Sequence, residues 1–223
     1  MNNLYLDTST KALMLVLSKD GQVVKHHYAL TGNEHSERLM VEIEKLFENS
    51  GLTIQDVDFY VGMGPGSYTG VRIGVTVSKM FAYTLNKDLY AISSLAIMAA
   101  SFVGDAKYII PIIDARRGNV FSGIYQIKNN ELVLFKEDQL YSISELIEIA
   151  KSLENCIFVG TDLLNFKLLF EENNLQYKCL TEINFKPENI ISKIKFEKVD
   201  DIHHFAPNYK RRTEAERNLD HEA

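Results

Sequence analysis

The period of apolar and polar positions changes repeatedly along the chain, and each change marks an element. Residues 4–9, 13–17 and 23–30 run apolar or alternate, which predicts three strands. Asp20-Gly21 between the second and third is a hairpin signal. Leu39, Met40, Ile43, Leu46 and Phe47 then recur at helical spacing within residues 33–49, and Gly51 ends that helix. Residues 57–62 predict a buried strand. A glycine-rich loop, residues 64–70, leads into a helix ending near Asn86. A strand at 89–92 and a helix at 94–102 follow.

The pattern then restarts. Residues 108–114 and 119–127 predict strands, Asn129-Asn130 a turn, and 132–136 a third strand. Ser144 is the expected N-cap of the next helix, with Glu145 and Glu148 in its first turns. Residues 156–160 predict a strand, 163–172 a helix, and Pro187 opens a helix carrying Ile190, Ile191 and Ile194 on one face. Both Leu4-Tyr5-Leu6-Asp7 and Pro111-Ile112-Ile113-Asp114 are apolar strands ending in Asp, each followed by a turn and further strands. The expectation is an α/β fold of two duplicated lobes with a cleft between them. The lobes are residues 1–104 and 105–223, divided near Gly104-Asp105. Chance recurrence of two such strands is the alternative.

Composition narrows the class. The chain has 223 residues, 46% hydrophobic and 24% charged, with a net charge of −6. That is ordinary for a globular protein able to bury a core without staples, and it excludes a uniformly basic nucleic-acid binder. Cys156 and Cys179 form no C-x-x-C pair, so they read as thiols in a reducing compartment. The opening MNNLYLDTST lacks the basic start and apolar stretch of a signal peptide, and the expected location is cytoplasmic.

Two loops could carry chemistry. In Asp7-Thr8-Ser9-Thr10 the hydroxyls and amides of a turn could hold phosphate, and Asp7 could hold Mg²⁺ through water. The competing reading is a turn whose side chains bond their own backbone. Gly64, Gly66 and Ser67 precede a helix N-terminus, which favours anions. The loop is neither a Walker A motif nor a nucleophile elbow. Beyond it Gly70, Gly74, Ser78 and Ala82 recur every four residues, so one ridge of the helix carries almost no side chain. Another backbone can approach it closely, either the helix at 33–49 or a helix of another chain. The adjacent pairs His26-His27 and His203-His204 point to opposite faces if extended, and no histidine metal site is expected. The tail Lys210-Arg211-Arg212-Thr213-Glu214-Ala215-Glu216-Arg217 is either a solvated end or an RNA phosphate contact.

Four segments carry a resemblance: Leu6-Asp7-Thr8-Ser9-Thr10, His35-Ser36-Glu37-Arg38-Leu39, the run from Gly64 through Gly70-Val71-Arg72-Ile73-Gly74, and Ile113-Asp114-Ala115-Arg116-Arg117-Gly118. With Pro207-Asn208-Tyr209 they make the chain resemble the TsaB (YeaZ) family. The match is dense over residues 4–125 and patchy afterwards. The resemblance implies an actin-like (ASKHA, ribonuclease H-like) fold. It also implies a non-catalytic role beside TsaD, which transfers threonylcarbamoyl to N6 of adenosine 37 in ANN-decoding tRNAs.

TsaE with ATP and Mg²⁺, and the metal held by TsaD, act in the assembled complex, so no cofactor or metal of the chain's own is implied. The positions matching TsaD's two metal-binding histidines are Ser94 and Met98, and a hydroxyl and a thioether do not replace two imidazoles. Residues 33–49 and 68–86 match the family's partner-binding helices, which also support homodimers. The residues implied at that interface are Leu39, Met40, Ile43, Phe47, Gly70, Val71, Gly74, Val75, Ser78 and Ala82, with Val71, Val75 and Met40 as surplus apolar positions. Asp7, Thr8, Ser9, Gly64, Gly66, Ser67 and Asp114 are then vestigial phosphate-type loops. The alternatives are an autonomous actin-like ATPase or small-molecule kinase and, more remotely, a peptidase.

Overall fold

The computed structural model describes residues 1–32, 34–102 and 105–209. Strands β1 (Asn2–Asp7), β2 (Ala12–Lys19) and β3 (Gln22–Leu30) form an antiparallel meander. Asp20 and Gly21 turn between β2 and β3 with φ of 51° and 78°, the positive pair that a tight turn matching strand twist requires. Helix α1 (His35–Phe47), β4 (Asp58–Gly62), α2 (Tyr68–Leu85), β5 (Leu89–Ile92) and α3 (Ser94–Ala100) follow. Both β1–β4 and β4–β5 pair in parallel, giving the spatial order β5-β4-β1-β2-β3.

The second half repeats this plan. Strands β6 (Tyr108–Asp114), β7 (Asn119–Lys128) and β8 (Glu131–Ser142) are antiparallel. Then come α4 (Ile143–Lys151), β9 (Cys156–Gly160), a 3-10 turn at Leu163–Phe166 running into α5 (Lys167–Glu172), β10 (Gln176–Cys179) and α6 (Pro187–Lys193). The order β10-β9-β6-β7-β8, with β9 parallel to β6 and β10, reproduces the first sheet strand for strand.

Strand alternation sorts the core. Leu4, Leu6, Leu13, Leu15, Leu17, Phe59 and Val61 face α1 and α2, whereas Tyr5, Ala12, Met14 and Val16 face the other way. That inner cluster includes residues of both sheets together with α3 and α6. Ile110, Ile112, Val120, Ile124 and Phe158 lie beneath α4 and α5. The layers therefore run helix, sheet, helix, sheet, helix. Central strands buried on both faces read as near-continuous apolar runs, which is why the sequence shows them clearly. Each fully buried Leu or Phe contributes roughly 1.5–3 kcal/mol.

Several expectations change. The N-cap of α4 is Ser142, whose Oγ accepts from Glu145 N at 3.1 Å, rather than Ser144. The cause is that β8 continues to Ser142; its polar stretch from Lys136 is compatible with an edge strand. The edge strand β10 has the same mixed character and was not expected. The lobe division also shifts. Of the expected boundary at Gly104-Asp105, residue 104 lies outside the described residues, as does residue 103. Strand β11 (Glu197–Lys198) pairs antiparallel with β5 of the first sheet. Val199, Ile202 and Phe205 then pack on the α1/α2 cluster. Lys79 Nζ donates to the carbonyls of His203 and Phe205 at 3.0 and 2.6 Å. The chain from 197 to 209 is thus a strap on the first lobe, not part of the second. The basic tail from Lys210 lies outside the described residues.

No helix among the described residues is long and apolar enough to cross a membrane.

Candidate functional site

A cleft of about 870 Å³ lies where the two lobes' strand-end turns meet. One wall is the β1–β2 turn and the glycine loop, and the other is the β6–β7 turn and Asp162. Lys11 Nζ and Asp162 Oδ1 pair across it at 2.9 Å. Away from the cleft lining, Tyr125 donates to Asp138 Oδ1 at 2.6 Å and Ser93 Oγ donates to Asp138 Oδ2, joining α3's N-cap to the second sheet.

The glycines are forced by close approach. A Cβ on Gly66 would sit 2.4 Å from the carbonyl oxygen of Ser9, and one on Gly70 would sit 2.1 Å from that of Thr8. Ser67 N donates to Ser9 O at 2.7 Å, and Ser67 Oγ accepts from Gly70 N as the N-cap of α2. Gly64, at φ 94°, faces the carbonyl of Asn208 in the strap, and Asn208 N donates to Met63 O at 2.7 Å. The loop is stitched to both the β1–β2 turn and the strap.

Asp7, Thr8 and Ser9 are all buried. Asp7 Oδ1 accepts from Ser9 N and Oγ at 2.9 and 2.6 Å, and Oδ2 accepts from Ser94 Oγ at 2.5 Å. Burial raises its pKa, opposed by the hydroxyls of Ser9 and Ser94. Both carboxylate oxygens thus accept hydrogen bonds from within the protein, the bonding that a self-bonded turn requires. Thr8 Oγ1 donates to Gly70 O at 2.7 Å, also internally. Asp114 remains at the cleft, accepting from Arg116 N at 2.7 Å and from Asn165 Nδ2 at 3.0 Å. His35 is structural: its ring bridges Thr31 Oγ1 and Thr10 O at 3.0 and 2.7 Å.

The expected interface residues divide sharply. Leu39, Ile43, Val71, Val75 and Ala82 belong to their own lobe's core, with Phe47 packed against it. Gly70 and Gly74 meet Thr8 and Leu6, so the small-residue ridge packs on β1 rather than on a helix. Ser78 is fully buried beside them. Val71 and Val75 are therefore not surplus positions, because the side of α2 that carries them rests on the sheet. Only Met40 of that set is exposed, at 45%. Sequence reasoning missed Val41, Met80 and Tyr83, which are exposed on the same two helices at 47%, 48% and 63%. It also missed the aromatic contacts of Tyr68 and Tyr209, brought together only by the strap. Pro207-Asn208-Tyr209 was visible as a signature, but its placement was not.

Two copies of one five-strand plan around a cleft define the class: an actin-like, ribonuclease H-like α/β protein. A family model described as "TsaD: tRNA N6-adenosine threonylcarbamoyltransferase" matches residues 28–218. The "tRNA threonylcarbamoyladenosine biosynthesis protein TsaB" of Bacillus subtilis is 33% identical over 221 residues, covering 97% of this chain and 96% of that protein. The Haemophilus influenzae protein of the same name is 30% identical, covering 88% and 91%. Among solved structures, "YeaZ from Pseudomonas aeruginosa" is 26% identical with a TM-score of 0.71, over 86% of this chain and 90% of that one. Another, an "uncharacterized protein with similarity to peptidase YEAZ", also 26% identical, reaches 0.77 over 94% and 99%. The chain belongs to the TsaB (YeaZ) family.

Proposed function

We propose that the chain is a non-catalytic cytoplasmic subunit in tRNA threonylcarbamoyladenosine synthesis, docking on TsaD through the outer faces of α1 and α2. The observation that carries this reading is the set of exposed apolar side chains on those two helices, Met40 and Val41 on one and Met80 and Tyr83 on the other. A helix needs only one core-facing stripe. These side chains lie outside the stripes used by Leu39, Ile43, Val71 and Val75. The same face would serve a homodimer when TsaD is absent. TsaE with ATP, and tRNA, would join through the complex.

The non-catalytic role is supported by the positions that match TsaD's metal-binding histidines. Ser94 and Met98 are both buried, and the Ser94 hydroxyl is committed to Asp7. Polarising a carbonyl through a metal ion falls to TsaD. An autonomous ATPase or kinase has the cleft in its favour. Its metal-bearing aspartate would be Asp7, which is closed off by Ser9 and Ser94.

The test is tRNA threonylcarbamoylation by TsaD, TsaE, threonylcarbamoyl-adenylate and ATP, with and without this chain. Omission is expected to abolish turnover, and unchanged turnover would sink the reading. The double variant Met40→Glu/Met80→Glu is expected to lose co-elution with TsaD at micromolar concentration, since each buried, unpaired charge costs several kcal/mol. Because both side chains are exposed in the free chain, its melting temperature should stay within a few degrees of wild type. Val75→Glu, by contrast, should unfold the first lobe, and so reports nothing about docking.

A further inference from the structure

The cleft mouth carries a set of side chains that docking through α1 and α2 does not use. On one rim Tyr68 and Tyr209, 46% and 41% exposed, have ring centres 5.1 Å apart. The Arg72 guanidinium lies 3.9 Å from the Tyr68 ring centre and 5.6 Å from that of Tyr209, and Arg72 Nε donates to the Tyr209 hydroxyl at 2.7 Å. On the opposite rim the β6–β7 turn presents Arg116 and Arg117, exposed and consecutive, at φ of 66° and 55°. Neither guanidinium has an ion pair or hydrogen bond among the described residues. Both rims line the same cleft.

We propose that this mouth is a contact for single-stranded RNA, through which the chain holds unpaired loop nucleotides of the tRNA while its partner modifies them. The inference rests on the function proposed above. A chain of net charge −6 repels phosphate at long range, so nucleic acid must be met by a local cationic feature. The two free guanidiniums supply one. Of the cleft's carboxylates, Asp162 is paired with Lys11, and Asp114 is occupied by the Arg116 amide and Asn165. Asp114 keeps its charge while held by these neutral donors, so the turn's two guanidiniums outnumber the one unpaired carboxylate beside them.

The tyrosine pair adds what a phosphate site alone would lack. Exposed aromatic rings are stacking platforms for bases of any identity, and an arginine beside them adds a cation–π contribution. Aromatic rings facing free arginines across an open cleft suit a strand whose bases stack on one rim while its backbone follows the other. The fixed geometry helps. Tyr209 is placed by the strap through Asn208, and its hydroxyl is pinned by Arg72, so its ring is ordered before RNA arrives.

The probe is a fluorescein-labelled, unmodified tRNA transcript with an ANN anticodon. It is titrated with the full chain alone and with the complex it forms with TsaD, over a series of salt concentrations. Arg116→Glu/Arg117→Glu is expected to elute with TsaD as wild type does, yet to weaken tRNA binding about tenfold or more and to flatten the salt dependence by one to two phosphate contacts. Tyr209→Ala should weaken binding several-fold without changing the salt slope. Thermal melting checks that both variants fold. Affinity within twofold of wild type for both variants, with an unchanged salt slope, overturns the proposal. Loss of inorganic triphosphate or ATP binding in the arginine variant, with tRNA binding intact, also overturns it by assigning the arginines to a small anion. If wild-type chain fails to elute with TsaD, the docking reading falls, and the titration of the chain alone still decides this one.

Discussion

A β-carbon on Gly62 would lie 1.7 Å from Asp7 Oδ2, and one on Gly70 would lie 2.1 Å from the carbonyl of Thr8. In the second case the obstacle is backbone, which cannot swing aside. Gly70→Ala should therefore cost about 1–3 kcal/mol, read as a lower urea midpoint. Asp7 itself gives a pH signature. Burial raises its pKa above the unfolded value, so the folded chain holds that proton more tightly. The resulting stabilisation is fully present below about pH 4 and is lost as pH rises through the folded pKa. Asp7→Asn cannot titrate. The stability of wild type relative to that variant should thus fall as pH rises across that window, as measured by urea titrations at a series of pH values. The aspartate's hydroxyl-rich turn was legible in Asp7-Thr8-Ser9-Thr10. Its closure by Ser94 was not, because that residue stands 87 positions away.

At the scale of elements, helical and strand periods identified α1, α2 and the central strands because each carries a stripe or run dictated by burial. What the period of α2 could not say is which neighbour covers the stripe. Gly70, Gly74, Ser78 and Ala82 look alike whether they meet a helix, another chain or a sheet, and here Gly70 and Gly74 meet β1. The edge strands β8 and β10 were cut short or missed for a related reason. With a solvent-facing side they carry polar residues, and their period dissolves into loop-like composition. The duplication survived this blurring because it lies in the order of elements rather than in any one of them. It is confirmed in the matching strand orders of the two sheets.

Across the whole molecule, the lobes are joined by the inner core around α3 and α6 and by polar links between them. Lys11–Asp162 is one such link, and Asp138 with Ser93 and Tyr125 is another. None was readable in the sequence, since each joins residues of different elements. The strap adds a third tie by returning residues 197–209 to the first lobe. Ending the chain after Phe196 would open the β5 edge and uncover the flank of α2 held by Val199, Ile202 and Phe205. A loss of about 3–5 kcal/mol is expected from those three side chains, measurable by urea denaturation. An unchanged midpoint would show the strap to be passive.

The strap also sets a timetable for biogenesis. A lobe made first would ordinarily fold first as it leaves the ribosome. Here the outermost strand of the first sheet is β11, which is translated after every strand of the second. The first lobe therefore waits, with one edge open, until the second has emerged. Its α2 flank is finished only once the strap has been made, so a partner that recognises the completed face meets only molecules that already carry the second lobe.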